Sequence, residues 1–131
     1  MTVNARAPRS KPAPSRAPAG KPSRWLIGTW KSDKAATVAA WGTHPPGSPE
    51  FQRSLHDRLG TLVNKYTAKR STSTTPEWES TVPYRVLWEN ADALFLVYGK
   101  KDEEHGLLVT FASPQQYWVH VGRYIEFFRK Q

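Results

Sequence analysis

The stretch Trp25-Leu26-Ile27-Gly28-Thr29-Trp30-Lys31 separates two parts of the chain that differ sharply in composition. Residues 1–24 contain no acidic and no aromatic residue, whereas all six tryptophans lie in the part that this stretch opens. Apolar, aromatic and threonine residues predominate in the stretch, which is typical of a β-strand. We therefore predict that residues 25–131 form the folded domain and that residues 1–24 are a tail.

The tail is basic and rich in proline. Five prolines hold its backbone near the polyproline II conformation, and its few apolar side chains cannot offset the entropy cost of ordering. Disorder is therefore expected. The tail also holds six of the charges behind the net charge of +8, so any attraction to nucleic acid or to an acidic protein is expected from the tail. These cations are Arg6, Arg9, Lys11, Arg16, Lys21 and Arg24.

Several classes of chemistry find no support in the sequence. The absence of cysteine excludes disulfides, thiolate nucleophiles and cysteine-ligated metals. The four histidines lack metal-ligand spacing, and no catalytic serine motif, phosphate-binding loop or convincing carboxylate pair is present. We expect a protein that is not an enzyme and has no catalytic or metal-binding residues. No apolar run suits a membrane span or a signal peptide, so a cytoplasmic location is expected.

The periodicity of the folded part predicts two helices and eight strands. Residues 33–41 and 48–60 have helical spacing and capping residues, and they follow the first strand. Seven short strands separated by turn residues then run to the end of the chain. Sequential short antiparallel strands favour an all-β, up-and-down barrel, which leaves no exposed sheet edge. The predicted strands are 61–67, 70–75, 81–89, 93–99, 106–112, 116–121 and 124–130.

The Gly28-Thr29-Trp30 sequence resembles the opening motif of the calycins, the superfamily of lipocalins and fatty-acid-binding proteins. The resemblance implies that Trp30 plugs the closed end of the barrel and that Gly28 lets another backbone pass close by. It also implies that Arg129, near the end of the chain, lies over Trp30 in a cation–π contact. The helical pair resembles the lid of the fatty-acid-binding proteins, so it is expected to act as a lid or plug at the barrel mouth.

The same resemblance suggests residues that contact a ligand. In fatty-acid-binding relatives, an Arg/Tyr set inside the barrel captures a carboxylate, and Arg85, Tyr66, Tyr98 and Tyr117 are the matching candidates here. Arg85 could equally point outwards and lie along the sheet surface. In nitrobindin-type relatives a histidine at the barrel mouth ligates haem iron, and His120 is the candidate for that cofactor because it alone lies within a strand pattern.

Two functions follow from these features. In the first, a small apolar or amphipathic ligand occupies the barrel of a lipocalin-like binding protein. In the second, side chains fill the barrel, and the protein is an interaction module whose basic tail docks on nucleic acid or on an acidic protein. A cavity of some hundreds of cubic ångströms would favour the first function, and a filled barrel the second.

Overall fold

The computed structural model describes residues 20–131. Of the predicted tail residues, Arg6, Arg9, Lys11 and Arg16 lie outside this range, as does most of the segment predicted to be disordered.

Eight antiparallel strands form a closed barrel in which each strand pairs with its sequence neighbours and β1 pairs with β8. The prediction of an all-β, up-and-down barrel is therefore confirmed. Alternation along the strands places one set of side chains inside the barrel and the other set outside. The strands are β1 (Gly28–Ser32), β2 (Val63–Tyr66), β3 (Arg70–Thr74), β4 (Glu79–Glu89), β5 (Ala93–Tyr98), β6 (His105–Ser113), β7 (Gln116–Val121) and β8 (Tyr124–Lys130).

A short helix that the sequence analysis missed, α1 (Pro22–Trp25), packs against the barrel at the start of the first strand. The carboxylate of Glu89, at the end of β4, accepts hydrogen bonds of 3.0 Å from both the backbone N–H and the hydroxyl of Ser23. A negative charge at a helix N-terminus is favourable because the first N–H groups have no partner within the helix. The predicted boundary between residues 24 and 25 therefore falls inside a structured element, and Lys21 and Arg24 adjoin the barrel rather than belonging to a separate tail.

Aromatic side chains fill the barrel at the end that α1 covers. Trp30 is fully buried, and its Nε1 donates a 2.8 Å hydrogen bond to the carbonyl of Leu26. The Trp30 ring lies 6.0 Å from Phe111 and 4.6 Å from Tyr117, measured between centroids. These contacts make Trp30 the plug of the closed end, as the sequence motif predicted.

The cation over Trp30 is Lys130, and the prediction that Arg129 takes this place is wrong. The ammonium nitrogen of Lys130 lies 5.3 Å from the Trp30 ring centroid and donates a 2.8 Å hydrogen bond to the carbonyl of Trp25. Arg129 is one residue earlier in β8, so alternation turns it outwards, where it forms an ion pair with Asp33 at 3.1 Å. Gly28 provides space for the side chain of Lys130, because a Cβ at this position would lie 2.9 Å from Lys130 Cε. The prediction that another backbone passes close to Gly28 is wrong, since no backbone atom of residues 20–131 lies within 4 Å of that Cβ apart from those of its chain neighbours.

Two helices, α2 (Lys34–Trp41) and α3 (Pro49–Arg58), connect β1 to β2. Their N-caps are Asp33 and Ser48, which accept hydrogen bonds from Ala36 N and Phe51 N. Helix α2 packs on β8, where the hydroxyl of the buried Thr37 accepts a hydrogen bond from Phe127 N. The helical insertion is thus present, but none of its residues lines the barrel cavity described below, so the predicted role as a lid is not seen.

Of the three helices in the described part of the chain, none combines the length and the apolar character needed to cross a membrane.

Candidate ligand-binding site

The half of the barrel opposite α1 holds a cavity of about 1150 Å³ that is open to solvent at one end. Tyr117 forms part of its floor, because this ring stacks on Phe128 at 5.0 Å and rests against the Trp30 plug. The cavity reaches the turn between β5 and β6 and Trp78, just before β4, so it opens at the end of the barrel away from the plug.

Strand alternation gives the cavity a largely apolar wall. In β6, Leu107 lines the cavity while its neighbour Leu108 faces outwards and is 45% exposed. Leu96 from β5 and Val119 from β7 are buried residues on the same wall. Since apolar surface favours apolar ligands, this wall can hold the body of a hydrophobic molecule.

Two tyrosines and an asparagine form a polar cluster deep in the cavity. Asn64 Nδ2 donates a long hydrogen bond of 3.4 Å to the Tyr117 hydroxyl, and Asn64 Oδ1 accepts one of 2.8 Å from Ser73. Burial raises the pKa of Tyr66 to about 12, although hydrogen bonds to Tyr117 and Ser71 lower it in part. Burial likewise raises the pKa of Tyr117 well above its ordinary value. Both phenols are therefore protonated at neutral pH and can donate or accept hydrogen bonds.

Glu126, in β8, places a carboxylate on the cavity wall with only 7% of the residue exposed. Its Oε2 accepts a 2.6 Å hydrogen bond from Ser32, whose hydroxyl accepts a 3.0 Å bond from Gly60 N. Its Oε1 has no hydrogen-bond partner within residues 20–131. Burial raises the pKa of Glu126, and the bond from Ser32 and the charge of Arg58 offset part of this effect.

The mouth of the cavity combines a large aromatic side chain with charged residues. Trp78 is 53% exposed although it lines the cavity. The turn between β5 and β6 contributes Lys100 and three consecutive carboxylates at 102–104. Tyr98 and His105 meet at the base of this turn, with 5.6 Å between their ring centroids. A ligand entering the barrel would pass these side chains.

The structure brings together three of the five predicted ligand-binding residues, because Tyr66, Tyr98 and Tyr117 all line the cavity. Arg85 does not join them, and the prediction that it binds a ligand carboxylate inside the barrel is wrong. Its side chain is 61% exposed and forms an ion pair with Glu104 at 3.2 Å. The outward alternative is correct because Arg85 alternates with the inward-facing Tyr84 along β4.

His120 also lies outside the barrel cavity, so it does not join the ligand-binding residues predicted inside the barrel. It follows the inward-facing Val119 and is exposed, with its ring 5.6 Å from that of Trp118. It lines a separate surface depression of about 300 Å³, together with His44. Within residues 20–131, no group of three or more histidine, aspartate or glutamate side chains is placed to hold a metal ion.

Sequence analysis missed Glu126, Asn64 and Ser32 as parts of the site. The pattern of β8 contains a usable signal, since Glu126 shares a face with the apolar Phe128. Burying a lone carboxylate is costly unless it has a partner, so its presence on a buried face indicates an interaction. The contact between Ser32 and Glu126 joins residues 94 positions apart, and no local pattern predicts it.

Comparisons with protein-family models, with curated protein sequences and with solved structures give no match for this chain.

Proposed function

We propose that this protein is a calycin-like carrier or receptor that binds a small apolar or amphipathic molecule in its barrel and does not transform it. The observation that carries the proposal is the cavity of about 1150 Å³ above the aromatic plug. Pockets for small molecules run from about 300 to 1,000 Å³, so this cavity of about 1150 Å³ is slightly larger than the usual range. Such pockets combine apolar walls with a few polar groups. The wall at Leu96, Leu107 and Val119 and the cluster around Asn64 have this composition.

The polar groups of the cavity support binding rather than catalysis. Tyr66 and Tyr117 stay protonated because their pKa values are raised, so neither is a good general base at neutral pH. Glu126 is the one carboxylate in the buried part of the cavity wall, among the residues described, and no second acid or histidine accompanies it there. The arrangement suits hydrogen bonding to a ligand that remains intact.

The alternative function, an interaction module, was based on a filled barrel, and the cavity favours ligand binding over it. Side chains fill only the half of the barrel around Trp30. If the basic tail binds nucleic acid or an acidic protein, that function is compatible with ligand binding in the cavity and does not replace it.

A neutral fluorescent probe tests the proposal. N-phenyl-1-naphthylamine should bind the full chain saturably and at one site, with the emission change expected on entry into an apolar cavity. Leu107→Trp fills part of the cavity and should weaken binding at least about tenfold, equivalent to about 1.4 kcal/mol. Leu108→Trp adds the same side chain on the outer face of the same strand and should leave binding unchanged. Absence of saturable binding, or equal effects of the two substitutions, would contradict the proposal.

A further inference from the structure

The cavity is acidic although the folded part of the chain is almost neutral. Residues 25–131 contain 13 basic and 11 acidic residues, a net charge of +2. The cavity wall, in contrast, holds four carboxylates and one lysine, Lys100, and one of the four, Glu104, is paired with Arg85. Three carboxylates therefore remain against one lysine. Clefts lined by one sign of charge concentrate ions of the opposite sign, because their low-dielectric walls focus the field. The four carboxylates are Asp102, Glu103 and Glu104 at the mouth and Glu126 inside.

Glu126 is the deepest of these charges, and its hydrogen bonding is incomplete. The Ser32 hydroxyl donates its hydrogen bond to Oε2, and the Ser32 oxygen accepts one from Gly60 N. Oε1 has no donor within the described part of the chain. Oε1 is not a buried unsatisfied atom, since Trp41 Nε1 is the one such side-chain atom within residues 20–131, so Oε1 is accessible from the cavity. Glu126 therefore presents an acceptor oxygen to whatever occupies the cavity.

The nearby cations do not neutralise Glu126 inside the cavity. Arg85 lies on the outer face of the barrel and pairs with Glu104 at the mouth, and Lys130 lies beside Trp30, on the closed-end side of the floor. Arg58 acts on Glu126 electrostatically, but it belongs to α3 and does not line the cavity. A ligand carboxylate near Glu126 would meet a like charge beside a low-dielectric wall and be repelled.

We propose that the barrel selects amphipathic amines, with the protonated amino group paired with Glu126 and the apolar body against the wall around Leu107. This inference rests on the proposed function, since it names the ligand class of the same cavity. An ammonium group supplies the donor that Glu126 Oε1 lacks, and the pairing offsets the desolvation of both charges. The phenolic oxygens of Tyr66 and Tyr117 and the mouth carboxylates add acceptors on the cation's route inwards. The preference is opposite to the fatty-acid capture that the family resemblance implied.

Three ligands of equal chain length test the preference: dodecylamine, dodecanol and dodecanoate, each displacing N-phenyl-1-naphthylamine from the full chain at neutral pH. We expect the amine to bind most tightly and the carboxylate least, with at least about a tenfold difference between these two. Dodecanoate binding as tightly as dodecylamine would overturn the inference. Failure of all three ligands to displace the probe would also overturn the inference. Binding of the probe itself tests the proposed function separately.

A matched pair of variants locates the effect. Glu126→Gln keeps the size and an acceptor for Ser32 but removes the charge, so the advantage of the amine over the alcohol should disappear. Glu103→Gln removes a charge at the exposed mouth and should change that advantage only slightly, because water and salt screen it. Retention of the amine preference in Glu126→Gln would overturn the assignment to Glu126, and the ligand series on the unmodified chain requires no variant to fold.

Discussion

The hydroxyl of Ser32 donates a 2.6 Å hydrogen bond to the carboxylate of Glu126, and both residues are buried. The bond joins the end of β1 to β8, and the accompanying bond from Gly60 N adds the segment that follows α3. One carboxylate oxygen is thereby fixed, and the other is left for a ligand. The same pair therefore helps to hold β1 against β8 and positions the buried carboxylate of the cavity.

Glu126→Gln should change how stability depends on pH. Burial raises the pKa of Glu126 in the folded chain above its unfolded value of about 4.3, so the folded state binds the proton more tightly. The unmodified chain should lose stability relative to the variant as pH rises from the unfolded pKa through the folded one, and the difference should be constant above it. Urea unfolding of both proteins between about pH 4 and 8 measures this difference. A relative gain in stability of the unmodified chain with rising pH would show that the carboxylate is stabilised as an anion.

Lys130→Met should destabilise the fold more than Arg129→Met. The lysine contacts the Trp30 ring and bonds to the Trp25 carbonyl, and losing both should cost about 1–3 kcal/mol of unfolding free energy. Arg129 makes an exposed ion pair with Asp33, so its replacement should cost about 0–1 kcal/mol. Chemical denaturation of the two variants gives both values. Equal losses of unfolding free energy, or a larger loss for Arg129→Met, would contradict the assignment of Lys130 as the cation over Trp30.

Gly28→Ala should be poorly tolerated. Gly28 has a φ of +135°, and an added Cβ would lie 2.9 Å from Lys130 Cε. Strain and overpacking together should cost at least about 2 kcal/mol. Gly122→Ala is the control, since its φ is +61° with no atom within 4 Å of the added Cβ, and it should cost only about 1–2 kcal/mol. Thermal and urea unfolding provide the comparison, which fails if Gly122→Ala is the more damaging change.

Removal of residues 1–24 should destabilise the barrel, whereas removal of residues 1–19 should not. The longer deletion removes buried Pro22 and both hydrogen bonds from Ser23 to Glu89, a loss of roughly 2–4 kcal/mol. The shorter deletion leaves α1 intact. Urea midpoints of the two truncated proteins test this boundary, and similar midpoints would place α1 outside the cooperative unit.

The sequence predicts much of the fold because the relevant signals are local. Alternation, turn residues and caps such as Asp33 and Ser48 locate the eight strands and the two longer helices. Alternation also indicates the faces of Tyr66 and Tyr117. Alternation fails at Trp25, where a strand was expected and a short helix is found. That helix begins at Pro22 and is held by the long-range hydrogen bond from Ser23 N to Glu89. Whether Arg129 or its neighbour Lys130 lies over Trp30 depends on the register of β8. Two adjacent cations in one strand do not reveal which of them faces inwards.

The candidate site is less predictable than the fold. Its tyrosines stand out by residue type, but the role of Glu126 depends on Ser32 and Gly60, which are distant in sequence. The size of the cavity depends on which aromatic rings lie below Tyr117, a matter of packing that periodicity does not determine.

Native mass spectrometry of the full chain shows whether the barrel holds one small molecule. The chain would be measured as isolated from its own cells and again after incubation with N-phenyl-1-naphthylamine. We expect a one-to-one complex that denaturation dissociates and that Leu107→Trp weakens while Leu108→Trp does not. Observation of the bare chain alone in both samples would contradict this expectation.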